Sequence, residues 1–329
     1  MKVEYANCLT ASEQGYLWSM YQSLSMNMCI LKYFDQVVED EEIKKLNSDL
    51  LAGCVSTQGE LTTIMNHEGF PIPVAFSDQD VNLQAGKLFT EPLILYYHWF
   101  FSKGNLNYSS IALNTIARED VFALFKRLNN EALERLDQAR KLLLEKGLWI
   151  RSPYIPIPKE VQFVQKQSYL TKWLGEHRPL TGQEISMIFY NILTNEIGLT
   201  VMKGFIQVTD DEPFKSYLSR GKEIAAKHMN TLSEIFQKEE ISTPGAWSVS
   251  TTSSKTAPFS TKLMISLVNF LNSQGIANYG VALTTAMRSD IYRTFITLMA
   301  DVSRYTEDGA NLLIEHGWFE SPPQAPKLT

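Results

Sequence analysis

The chain is poor in cysteine, has no basic run and contains no long apolar stretch, and each scarcity excludes something. Its three cysteines, Cys8, Cys29 and Cys54, all lie in the first quarter. An odd, unpatterned set reads as reduced thiols of a cytoplasm rather than a disulfide framework or a CxxC metal site. Lysine and arginine never cluster, and the net charge is −6 with a pI near 5.5. Nucleic acid and anionic membranes, which need basic surfaces, are therefore not expected partners. The strongest apolar run, Leu93–Phe101, is nine residues long. That falls short of the roughly 20 needed to span a bilayer and predicts a buried helix segment instead. The start, MKVEYANC, carries an early acid and no apolar core, so a secretory signal is not expected and a cytoplasmic location is. GxGxxG, P-loop, HExxH and GxSxG patterns are absent, which removes the commonest nucleotide, metalloprotease and serine-hydrolase readings.

What is present is a duplication. The stretch Arg151–Pro158, RSPYIPIP, holds Pro153, Pro156 and Pro158 and reads as an extended, semi-rigid seam. On either side of it the chain repeats itself. LTASE (Leu9–Glu13) falls on LTGQE (Leu180–Glu184) at a shift of 171 residues. That shift places Lys32 on Lys203, Glu41 on Glu212, Glu68 on Glu239 and Pro73 on Pro244. At a shift of 170, Phe89 meets Phe259, Arg118-x-Asp120 meets Arg288-x-Asp290 and Gly147 meets Gly317. Two homologous units sharing one fold follow.

Each unit reads as four helices. Thr10-x-x-Glu13 and Thr181-x-x-Glu184 are capping boxes that open helix A, which should run to about Val38 and Val208. Acidic turns, VEDEE and TDDEP, sit at the positive end of helix B, with Pro213 in its first turn. Helix B should end near Gly69 and Glu240, and a long polar connection follows. Helix C should start near Thr90 and Ser260 and end at the shared Arg-x-Asp; helix D should end at Gly147 and Gly317 as left-handed caps. Val161, Phe163, Val164 and Tyr169, between the units, suggest a short helix or strap within 159–178. Short A–B and C–D turns with a long B–C crossover are the connectivity of ferritin-like bundles. The fold class expected is all-α: two tandem ferritin-like four-helix bundles, the first over residues 1–152, a proline-rich linker and strap over 153–178, and the second over 179–329. Trp149, Tyr154, Trp318 and Phe319, beside the seam prolines, are expected to dock the bundles together.

LTASE, LKYF, FPIPVAF, DVN, RSPYIPIP, RPLTGQEIS, RGKEIAAKH, ANYGVAL, AMRSDI, EDGANLLIEHGW and SPPQAP, taken together, resemble the domain-of-unknown-function family 3231, found mainly in spore-forming Bacillus relatives. The resemblance covers residues 9–325 and implies tandem ferritin-like bundles, with a spore association and no known reaction. It also implies a Lys-His step in helix B of both copies. Here the second copy has Lys227-His228, whereas the first reads Ser56-Thr57.

A ferritin-like di-iron site needs carboxylates from two helices and Glu-x-x-His from two others. In the second copy, Glu196 lies on the apolar face Phe189, Ile192, Glu196, Leu199, and His228 on the stripe Ile224, His228, Leu232, Ile235. Ala225 stands three residues before His228, and Phe259–Met287 contains no Asp or Glu, so a full di-iron set fails. What remains is a single iron, manganese or zinc ion held by Glu196 and His228, or a buried polar pair satisfying itself. Their counterparts in the first copy are Ser25 and Thr57. His98, among Tyr96, Tyr97, Trp99 and Phe100, reads as a core histidine bonded to a neighbour. The repeated Arg-x-Asp reads as an Asp or Ser cap of helix D with Arg at the end of helix C, and less well as an anion site. Lys32 and Lys203 read as snorkelling or dipole-pairing lysines rather than Schiff-base formers. Asn107-Tyr108 and Asn278-Tyr279 put polar groups mid-helix, where a close or kinked contact is expected. Cys29, inside an apolar run, reads as packing. The balance favours a non-enzymatic structural or binding protein, with a homo-oligomer as a candidate assembly. The alternatives are a metal-binding or oxidase-like protein with one degenerate site, and a protein holding a small apolar ligand beside the small residues Gly275, Ala282 and Ala286.

Overall fold

Both capping boxes form as the hydroxyl-acid spacing dictates. Thr10 accepts from Glu13 N while Glu13 reaches back to the Thr10 amide, and Thr181 and Glu184 do the same. The computed structural model describes residues 8–170, 178–243 and 249–326. They form eight α-helices: α1 Ala11–Val37, α2 Glu41–His67, α3 Glu91–Ala112, α4 Glu119–Glu145, α5 Gly182–Val208, α6 Glu212–Lys238, α7 Thr261–Thr285 and α8 Ser289–Glu315. Among the described residues there is no strand, only two isolated antiparallel bridges, Val81 with Phe259 and Phe89 with Thr251.

The helix ends follow local chemistry. Asp40 and Asp211 cap α2 and α6, and Pro213 sits in the first turn of α6. Gly147 and Gly317 take φ of +67° and +68°, the left-handed geometry that lets the chain turn out of α4 and α8. Helices α3 and α7 stop at Ala112 and Thr285, before the Arg-x-Asp expected to end them. The reason is tertiary: a carboxylate from the first helix of each unit captures the amides just before α4 and α8, as described below. Pro244 and the rest of 244–248, and residues 171–177 of the expected strap, lie outside the described residues. The rest of the strap has no regular structure apart from a 3₁₀ turn at Gln167–Tyr169.

The helices fall into two compact units. Unit 1 gathers the described residues up to Trp149 with Val249–Met264 and those from His316 onward. Unit 2 gathers the described residues between Ile150 and Thr243, and Ile265–Glu315. The segment before α7 therefore belongs to unit 1, where it pairs with the crossover before α3. Asn82 N donates to Pro258 O at 2.8 Å, and Thr252 N to Leu88 O at 2.9 Å. Tyr33 braces this pairing: its hydroxyl donates to Gly86 O, accepts from Leu88 N, and its ring meets Phe259 edge-on at 5.2 Å.

In unit 1, α1 pairs with α2 and α3 with α4. Leu17, Leu24 and Leu31 of α1, Leu50 and Leu61 of α2, Phe101 of α3 and Phe125 of α4 are all buried. Each such side chain contributes roughly 2–3 kcal/mol by leaving water. In unit 2, α8 presents Ile291, Phe295, Leu298, Val302, Tyr305 and Leu313, one face at 3-4 spacing. Phe189, Ile192, Leu232 and Phe236 meet it. The small residue Ala282 is buried in this core and Ala286 packs against it. Helix α5 is long and apolar enough to cross a membrane by length and composition. It carries Asn191, Glu196 and Thr200 and is mostly buried within its unit, as a core helix is. Of the aromatics beside the seam, Trp149 meets Trp99 edge-on and Trp318 stacks on His316, while Tyr154 and Phe319 are exposed.

Candidate functional site

The residues that recur between the repeats converge on one closed arrangement at the end of each unit. In unit 1, Glu13 is buried. Its Oε2 accepts from the Thr10 amide at 2.7 Å and hydroxyl at 2.8 Å, and its Oε1 from the amides of Ala117 and Arg118 at 3.0 and 2.8 Å. Arg118 then bridges Glu68, at the end of α2, and Asp120, each at 2.7 Å. Unit 2 repeats this. Glu184 takes Thr181 N at 2.8 Å, Met287 N at 3.0 Å and Arg288 N at 2.9 Å, and Arg288 bridges Glu239 at 2.5 Å and Asp290 at 2.7 Å. Unit 2 adds Arg178, which grips both oxygens of Glu184 at 2.8 and 2.9 Å. Burial resists ionisation of Glu184, but Arg178 and the backbone amides outweigh it and hold the carboxyl at about 2. Glu13 is lowered by the same contest, burial against amides, without an arginine on its oxygens. The structural reading of Arg-x-Asp is the one favoured, and the anions its arginines meet are the chain's own carboxylates. The expected Asp cap is corrected: Arg118 occupies the N-cap of α4 and makes no side-chain cap bond.

His228 on α6 is fully buried, and its partners come from three other helices or their turns. Nδ1 lies 2.9 Å from the Tyr279 hydroxyl on α7, which accepts from Asn195 Nδ2 on α5 at 2.8 Å. An amide nitrogen can only donate, so Tyr279 is free to donate to His228. The imidazole proton then sits on Nε2, facing Asp301 Oδ2 on α8 at 3.5 Å. Lys227 holds the same Asp301 oxygen at 2.7 Å. Burial lowers the His228 pKa to about 4, with Asp301 opposing it, so the ring is neutral at pH 7. Glu196 sits half-buried on α5. Burial raises its carboxyl, with Lys203 opposing, and its neighbour Asn195, not Glu196, joins the histidine's chain of bonds. Among the described residues, no three His, Cys, Asp or Glu side chains converge as a metal's ligands would.

The corresponding interior of unit 1 is built differently. Thr57, in place of His228, lines a cavity of about 10 Å³ with Gly53, Cys54, Asn105 and Arg135. Nearby, Asn27 donates to Cys54 Sγ at 3.4 Å and accepts from Tyr97 at 2.6 Å. His98 is buried as expected, but neither ring nitrogen has a hydrogen-bond partner. Its ring meets Phe34 and Tyr97 edge-on instead, at 6.5 and 6.2 Å, and burial drives its pKa down to about 3. Burial raises the Cys29 thiol to about 12 and the Cys54 thiol to about 11, so both are inert at neutral pH. Lys32 pairs with Asp78.

Sequence reasoning found Glu13, Glu68 and Arg118 each repeated in the second unit but did not join them, although their recurrence was the available signal. Tyr279 and Asn195 carried no such signal, because Ser109 and Leu24 stand at their counterparts.

A family model described as a protein of unknown function, DUF3231, matches residues 3–161 and again 168–328. No curated protein matches the chain. Among solved structures, a crystal structure named "putative spore coat protein", from Bacillus halodurans C-125, aligns at 17% identity with a TM-score of 0.43. The alignment covers 46% of this chain and 98% of that one.

Proposed function

The chain belongs to the DUF3231 family of unknown function, and we propose that it is a non-enzymatic structural or binding protein built from two ferritin-like bundles. The observation that carries this reading is the fate of the duplicated polar residues. Glu13, Glu68, Arg118 and Asp120, and their repeats Glu184, Glu239, Arg288 and Asp290, are consumed by one another and by backbone amides. What the duplication preserves is a brace, and a brace leaves no group to act on a substrate. The residues do not fit a di-iron centre: α7 contributes no carboxylate, and Ala225 stands where Glu-x-x-His needs an acid. Inert buried thiols, a net charge of −6 and a core packed separately in each unit suit a cytoplasmic protein, with spore association as the family implies.

A second reading has one observation in its favour. His228 Nε2 and Asp301 Oδ2 approach to 3.5 Å across two helices, a two-ligand start for one iron, manganese or zinc ion, although Glu196 does not join them as a third ligand. Elemental analysis of protein purified without chelators separates the two. The structural reading predicts no stoichiometric metal; a stoichiometric ion that is lost in His228→Ala would replace it with the metal reading.

A further inference from the structure

Between two anchors the strap is held by no backbone hydrogen bond. At its start Ile150 packs against the core of unit 2. At its end Leu170 O accepts from Ser289 N at 3.0 Å, and Arg178 lies over the Tyr169 ring at 4.3 Å. Among the described residues, no amide or carbonyl of 151–165 bonds to another backbone group, and every residue of 154–168 is exposed. Ile157 and Val161, either side of Lys159, are 83% and 85% exposed. The sequence accounts for this: Pro156 and Pro158 have no amide to donate and cannot continue a helix, and the apolar residues between the charges find no core.

The crossover before α3 is as irregular but tied down. Lys87 O accepts from the Thr252 hydroxyl, and Lys87 Nζ pairs with Glu39 and Glu91. A peptidase cleft must take several residues on each side of the bond it cuts, so cutting follows local freedom as well as exposure. The strap has both. A cut there also leaves the bonds that complete unit 1 in place, because they come from residues after it. Thr90 N donates to Ser250 O at 3.0 Å, Ser260 N to Asp80 O at 3.0 Å, and Gln22 Nε2 to Glu320 at 2.9 Å. Unit 2 in turn keeps Ile150, from before the cut.

We propose that Lys159–Glu160 is a processing site for an endopeptidase with an acidic pocket for lysine, and that the cut chain persists as one two-fragment particle. Water adds across a single peptide bond, leaving a carboxylate on Lys159 and an amine on Glu160. Lys166 is a poorer site, because its carbonyl accepts from Tyr169 N at 3.1 Å in the 3₁₀ turn. Arg151 is poorer because Ile150, beside it, is packed in unit 2. The cut removes the covalent tether between the repeats and spares the hydrogen bonds within each unit. It is independent of whether His228 holds a metal.

The test is brief digestion of the full 37.4-kDa chain at neutral pH with a lysine-specific endopeptidase, read by mass spectrometry and native gel filtration. The first cut within residues 8–326 follows Lys159 and gives two fragments of similar length. They elute together at the position of the uncut chain and part only in urea. Lys159→Gln, whose side chain bonds to nothing, leaves circular dichroism unchanged and slows conversion to half-length fragments at least about tenfold. A first cut anywhere else, after Lys87 or Lys255 of the crossovers for example, overturns the site, as does a Lys159→Gln chain halved at the wild-type rate. Fragments that separate on the native column overturn the persistent particle.

Discussion

Replacing Glu184 by glutamine tests the brace where it is strongest. The side chain keeps its size and loses its charge, and its new NH₂ faces amides that can only donate. Lowering a carboxyl from 4.5 to about 2 corresponds to about 3 kcal/mol, at about 1.4 kcal/mol per tenfold. Screening through the partly exposed edge of Arg178 reduces this to about 2 kcal/mol. The variant also leaves the partly buried Arg178 charge and two backbone amides short of an acceptor, so Glu184→Gln should cost about 3 kcal/mol at pH 7. The pH dependence has a fixed sign. The folded pKa lies below the unfolded one, so the stabilisation is complete above about 4.5 and fades as pH falls toward about 2. Urea unfolding of wild type and variant should therefore differ most at pH 7 and converge near pH 2. A cost under about 0.5 kcal/mol at pH 7, or a difference that ignores pH, would refute the reasoning. Glu13→Gln, with no arginine on its oxygens, should cost less.

The two buried histidines should respond in opposite ways. His98→Leu removes two unpaired ring nitrogens and should change stability by less than about 1 kcal/mol or raise it, whereas His228→Leu strips the buried Tyr279 hydroxyl of its partner and should cost about 2 kcal/mol; thermal unfolding compares them. Nitrogen-15 spectra should find the His228 ring neutral, with its proton on Nε2, as pH drops below 6.5 toward about 4. Over that interval the unfolded chain takes the proton first, and stability falls. Two helix glycines should also separate. A Cβ on Gly221 would stand 2.2 Å from the Tyr305 hydroxyl and 2.7 Å from Met202 Sδ, so Gly221→Ala should cost about 2 kcal/mol despite the better helix former. A Cβ on Gly15 meets nothing within 4 Å, so Gly15→Ala should gain about 0.5 kcal/mol by chemical denaturation.

Local chemistry explains why so much of the architecture was readable. A hydroxyl three residues before Glu, Asp before an acidic turn, and Gly after the last apolar residue act within a few residues, and α1, α2, α5 and α6 begin and end close to where they predict. The ends of α3 and α7 misled because Glu13 and Glu184, about a hundred residues away in sequence, decide where those helices stop. The pairing of the two crossovers was hidden for the same reason, since nothing in either segment names its partner. At the candidate site, an apolar stripe placed His228 inward correctly. A stripe sets the face of a helix and not the rotation of its neighbours, so it could not choose Asn195 over Glu196 or bring Tyr279 to the ring.

Amide hydrogen exchange on Glu13→Gln and Glu184→Gln measures the duplicated brace most directly. Ala117 and Arg118 should lose protection in the first variant alone, and Met287 and Arg288 in the second alone, ahead of the helix interiors of the same unit. Unchanged exchange at those four amides in both variants would contradict it.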